Sequence, residues 1–90
     1  MINVSEFINH KAFDGQREIN DGTQYGFLFD NEYGASVVNH SFSYTNGDDE
    51  WELAVLKNGR LTYDTHITDD VIGHLKVVDV LKILDEIERL

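Results

Sequence analysis

His66, Asp69, Asp70 and His74 are the densest set of potential metal ligands in the chain. His66 and His74 stand eight residues apart with Asp70 between them. A zinc ion needs three or four convergent donors held in turn by outer partners, and this spacing matches no short ligand motif. The competing expectation is that Asp69 and Asp70 cap a turn and both imidazoles sit at the surface. Asp48, Asp49 and Glu50 suggest calcium. A calcium loop, however, alternates its oxygen ligands, turns at a Gly and closes on a distal Glu. Asn46-Gly47-Asp48-Asp49-Glu50 lacks that order and reads as a solvated hairpin tip. Ser41 and Ser43 lie beside His40, but on an expected strand with no nucleophile elbow. Gly22, Gly26 and Gly34 have no Lys where a phosphate loop would need one. No Cys is present, so no thiol is available as nucleophile or ligand. Paired carboxylates are plentiful only because the chain is acidic. These residues point away from an enzyme and require neither cofactor nor metal.

The elements that position them belong to one domain, residues 1–90. Seventeen Asp and Glu face seven Lys and Arg, a formal net charge of −10. Phosphate contacts need cations, so direct binding to nucleic acid or to an anionic membrane is disfavoured. No stretch approaches the ~18 apolar residues of a membrane span. Met1 to His10 has neither a basic run nor a long apolar one, so no secretory signal is expected there. The acidity has two readings: solubility, or attraction for a basic protein partner.

The expected fold is α+β: about four antiparallel strands in hairpins, a short N-terminal helix, and a C-terminal helix packed on the sheet. Asn3 and Glu6 approach a capping box, with Ile2 and Phe7 as a hydrophobic staple, and Asp14-Gly15 stops that helix. Residues 14–24 are polar and turn-rich and read as a loop. Tyr25 to Phe29 and Ala35 to Tyr44 form a hairpin. Both of its faces carry large apolar groups, Phe27, Phe29 and Val37 on one and Leu28, Val38 and Phe42 on the other, which predicts central strands with both faces at least partly covered.

Trp51 to Leu56 and Leu61 to Thr65 form a second hairpin. A two-residue Asn58-Gly59 loop would pair Leu56 with Leu61 and mix polar with apolar residues on each face. A three-residue loop, Lys57 to Gly59, pairs Val55 with Leu61, Leu53 with Tyr63 and Trp51 with Thr65. It leaves one face apolar, so the three-residue loop is predicted, with Gly59 left-handed in a bulge. Ile67 to Leu75 is a connector with room for one helical turn. Val77, Val80, Leu81, Leu84, Ile87 and Leu90 make the apolar stripe of the last helix.

The segments Tyr33-Gly34-Ala35-Ser36-Val37-Val38, Trp51-Glu52-Leu53-Ala54-Val55-Leu56 and Ile67-Thr68-Asp69-Asp70-Val71-Ile72-Gly73-His74-Leu75 resemble a family of small uncharacterised proteins from bacteriophages and prophages. The resemblance covers roughly the last two thirds of the chain. That family carries no established activity, so it transfers no catalytic residues. In its pattern the position of Lys76 is commonly Ser or Thr, which with Asp79 would make a capping box; Lys76 departs from it. The resemblance implies a phage or prophage protein acting in the cytoplasm of a bacterial host.

The expected function is therefore binding: an accessory protein, monomer or homodimer, that engages a host protein with a basic surface and inhibits or modulates it. A nucleic-acid-mimicking or anti-defence role fits that description. The contact residues expected are Asp48, Asp49 and Glu50 at the hairpin tip and Asp69 and Asp70 in the connector, where carboxylates can pair with Arg. Tyr33 and Tyr44, near loop tips, are expected interface aromatics. The rival classes are a phage structural or assembly protein, acidic only for solubility, and a small metal-dependent hydrolase using His66, Asp70 and His74.

Overall fold

The computed structural model describes residues 4–47, 49–68 and 70–90. The fold is α+β. A four-residue helix, α1 (Ser5–Ile8), precedes five strands: β1 (Phe13–Ile19), β2 (Gly22–Leu28), β3 (Tyr33–Asn39), β4 (Trp51–Lys57) and β5 (Arg60–Leu61). A sixth strand, β6 (Ile72–Leu75), leads into α2 (Val77–Glu88). The first five form an antiparallel meander in sequence order, and β6 pairs with β4. β5 and β6 share the outer edge of β4, one at each end. No helix among the described residues is long and apolar enough to cross a membrane.

One face of the sheet holds the core. Tyr25, Phe27, Ala35, Val37, Trp51, Leu53 and Val55 alternate inward along three central strands, as the period of two requires. From the other side come Phe7 of α1 and Val80, Leu84 and Ile87 of α2, each with no exposed surface. Burial of that size stabilises by about 1.5–3 kcal/mol per side chain. The Phe7 ring sits edge-on to Trp51 at 5.3 Å between centroids and tilted on Tyr25 at 5.4 Å, which anchors a helix too short to persist alone. Trp51 is core, as its alternation predicts. Its indole Nε1 has no hydrogen-bond partner among the described residues.

The predicted helix stripe is observed: Val80, Leu84 and Ile87 are buried, and Val77, Leu81 and Leu90 pack against them. Lys76 is the N-cap in extended conformation. Its side chain can only donate, so the capping box is half formed: the Asp79 carboxylate accepts the Lys76 N–H at 3.0 Å. At the first helix, Ile2 and Asn3 lie outside the described residues. α1 ends at Asn9, well before Asp14.

Several expectations are corrected. Residues 14–24 are not a loop but most of the β1–β2 hairpin, with Ile19 paired to Gly22 across Asn20-Asp21. The segment is polar because β1 is an edge strand, exposed over Asp14–Glu18; polarity there reports solvent rather than loop.

The Ala35–Tyr44 strand stops at Asn39. Ser43 Oγ donates to the His40 carbonyl at 2.8 Å and stands 3.0 Å from the His40 amide. Such local side-chain bonds divert the backbone from the ladder.

The second sheet face is covered only in part: Val38 is buried there, but no helix lies on it, Leu28 is 51% exposed, and Phe42, beyond the strand, is 79% exposed. One long helix can cover only one face.

The β4–β5 loop has two residues, not three. Asn58 (φ 53°) and Gly59 (φ 80°) are both left-handed, and Lys57 pairs with Arg60 and Leu56 with Leu61. This is the turn that Asn-Gly favours. The apolar face that argued for the longer loop is completed instead by β6, which opposes Leu75 to Trp51 and Ile72 to Leu53. The end of the expected connector, Ile72–Leu75, is therefore a strand.

Candidate functional site

The described residues of the segment 40–50 form a tightly bonded loop latched to the β6–α2 junction. Asn39 Nδ2 donates to the carbonyls of Gly47 and Glu50, both at 2.9 Å, and closes the loop at its base. Glu50 is the inner hub. It accepts the Asn46 N–H at 2.8 Å and stands 2.9 Å from His74 Nδ1. Its second oxygen lies 3.7 Å from Lys76 Nζ. The His74 bond, then the Asn46 N–H, holds the Glu50 carboxyl below its usual range. Lys76 also bonds Asp49 at 3.1 Å, and Asp49 and Glu50 together raise its ammonium above the usual value.

Tyr44 is fixed by its backbone. Its N–H donates to Glu52 Oε1 at 3.0 Å and its carbonyl accepts the His74 N–H at 2.7 Å. The approach needs glycine at 73, where a Cβ would come within 2.5 Å of Tyr44 Cβ.

Of the expected contact residues, Asp48 and Asp69 lie outside the described residues. Asp49 and Glu50 are brought together, but their carboxylates are engaged within the chain, Asp49 by Lys76 and Glu50 by His74 and Lys76. Asp70 is exposed and caps its own turn, accepting the Val71 N–H at 2.8 Å. Tyr44 is 63% exposed, whereas Tyr33 is half-buried with Lys57 Nζ 5.4 Å from its ring centre. Among the described residues no three His, Cys, Asp or Glu side chains come together to hold a metal ion, so His66, Asp70 and His74 do not form a triad.

The surface that sequence reasoning missed is the uncovered sheet face. Gly15, Gly26, Ser36 and Ala54 stand in register on β1 to β4 and make a row of small residues across the strands. Leu28, Gly34, Leu56 and Leu61 form the next row on one side. Arg17, Gln24, Val38 and Glu52 form the row on the other. Arg17 donates to Gln24, and Gln24 Nε2 donates to Ser36 Oγ at 2.6 Å, so the polar wall is bonded in place. Two adjoining concavities of about 600 and 570 Å³ lie on this face.

The first carries three carboxylates at its rim, Asp14, Asp30 and Glu32, and no Lys or Arg. The bulge between Phe13 and Gly15 displaces Asp14 from the ladder, and Asp30 and Glu32 sit on the β2–β3 turn. Lys57 and Arg60, the nearest cations on β4 and β5, pair with Tyr33 and with each other. They therefore point to the opposite face. One signal was available in the sequence: a single long amphipathic helix cannot cover both faces of a sheet with apolar groups on each.

Comparison with protein-family models, with curated proteins and with solved structures finds no match for this chain.

Proposed function

We propose that this chain is a protein-binding domain, a small accessory protein of the phage or prophage type whose acidic surface engages a basic surface of a host protein and modulates it. The observation that carries the proposal is the uncovered sheet face, apolar along Leu28, Leu56 and Leu61 and rimmed by Asp14, Asp30 and Glu32. An apolar patch with a charged rim is the make-up of a protein interface. The net charge of −10 supplies a long-range field that would speed encounter with a basic partner. No Lys or Arg lines the concavity that Asp14, Asp30 and Glu32 rim, and two of the chain's seven cations, Lys11 and Lys76, are paired elsewhere with Glu88 and with Asp49 and Glu50.

The test is capture from a bacterial host lysate at low and moderate salt, with the wild type and with Asp14, Asp30 and Glu32 reversed together to Lys. A discrete partner that is held at low salt, weakened by salt and lost on reversal supports the proposal. A wild type that captures nothing specific at low salt overturns it. Reversal of Asp49 and Asp70 in a separate variant decides whether the loop end contributes.

A further inference from the structure

We infer that the uncovered sheet face binds an extended, arginine- or lysine-rich segment of its partner, laid across the strands over the row Gly15, Gly26, Ser36 and Ala54. The inference rests on the protein-binding proposal and specifies the occupant. Four strands spaced at roughly 4.8 Å make a floor about 15 Å long, the span of roughly four extended residues. Small side chains keep that floor low enough for a partner backbone to approach.

The chemistry of the walls selects the residue type. Long basic side chains lay their methylene stems on apolar surface while the charged head reaches a polar rim. Here Leu28, 51% exposed, and Leu61, 57% exposed, offer the apolar surface. Asp14, Asp30 and Glu32 offer the acceptors, and carboxylates take guanidinium groups in paired hydrogen bonds. A second copy of this chain is the wrong occupant, because joining two such faces would set six rim carboxylates against only two Arg17 guanidinium groups, each already bonded to Gln24. A bound metal ion is also the wrong occupant, since among the described residues no three acidic or imidazole groups converge.

The probe is a hexa-arginine peptide titrated into the isotopically labelled protein, with hexalysine and hexaglutamate as comparisons, followed by backbone amide NMR shifts. The expected result is saturable binding with shifts at Gly26, Leu28, Gly34 and Gly59. Asp14→Asn, Asp30→Asn and Glu32→Gln together should weaken it by roughly tenfold or more. Leu28→Ser should weaken it at moderate salt, where charge attraction is screened and the apolar contact remains.

Shifts that never saturate, or that fall on the 40–50 loop and the 66–76 connector, overturn the inference and leave only non-specific attraction. A dimer that buries Leu28 overturns it as well. If the peptide does not bind while a lysate partner is still captured and is still lost on reversal of the rim, the basic-segment inference fails and the protein-binding proposal stands. If neither binds, both fail.

Discussion

Asn31 and Ile87, fifty-six residues apart, are joined by a hydrogen bond: Asn31 Nδ2 donates to the Ile87 carbonyl at 2.9 Å. The same amide faces the carbonyls of Glu88 at 3.1 Å and Leu90 at 3.3 Å. Asn31 Oδ1 meanwhile accepts the Tyr33 N–H at 3.0 Å. One side chain thus meets the last carbonyls of α2 and shapes the β2–β3 turn that carries Asp30 and Glu32. Asn31→Ala should cost about 1 kcal/mol, as expected for lost hydrogen bonds, since the Ile87 carbonyl still accepts the Leu90 N–H at 3.1 Å. Asn31→Asp should cost more, because it turns a carboxylate toward three carbonyls. Urea unfolding midpoints read both, and equal stability of the Asp variant would show that the amide protons are not what holds the helix end.

Leu84 sits mid-stripe on α2 and has no exposed surface. Leu84→Ala should cost roughly 2–5 kcal/mol, through lost transfer energy and the cavity left behind. For a domain of this size that is a large part of total stability. An unchanged denaturation midpoint would mean that the stripe does not face the sheet in solution.

Gly59 has open space around it, with nothing within 4 Å of an added Cβ, but its φ is +80°. Gly59→Ala therefore tests conformation alone and should cost about 1 kcal/mol. A neutral or stabilising result would mean that Gly59 does not hold its left-handed conformation in solution.

His10 predicts a pH dependence. Burial holds its imidazole below the ordinary 6.5, outweighing the opposing pull of Asp85. Its Nδ1 accepts the Ala12 N–H at 3.0 Å, which only the neutral form can do at that nitrogen, and its ring stands edge-on to Phe27 and Phe29. The folded chain takes the proton less readily than the unfolded chain. The stabilising contribution is therefore complete above the unfolded value and is lost as pH falls from there through the lower folded value. The urea midpoint should drop more between about pH 7.5 and 5.5 in the wild type than in His10→Gln. Equal drops would place the titration elsewhere.

The loop latch predicts a local effect. His74→Ala removes the ring that bonds Glu50, and Glu50→Gln removes the charge that Lys76 meets. Either variant should speed amide hydrogen exchange at Asn46 and His74, with the core strands unchanged. Because the Glu50 carboxyl is held low, its share of the latch is present above its unfolded value and is lost as pH falls through the folded one. Uniform exchange across the molecule would show global rather than local loosening.

By itself the sequence determined the α+β class, the C-terminal helix and its buried stripe, the core role of Trp51, and the strong acidity of the chain. These follow from composition and from periods of 3.6 and 2, which are local properties. Tertiary structure alone decided the rest. β1 is a strand because β2 pairs with it; its own polar residues read as loop. Ile72–Leu75 became the partner of Trp51 and Leu53, which released the Asn58-Gly59 turn to its local preference. The contact of Glu50 with His74 and Lys76 spans more than twenty residues, and no spacing rule encodes it. Which sheet face stays open depends on where α2 comes to rest, because one amphipathic helix can bury only one side. Leu28 and Phe27 are neighbours in sequence, yet that single packing choice leaves one at the surface and the other in the core.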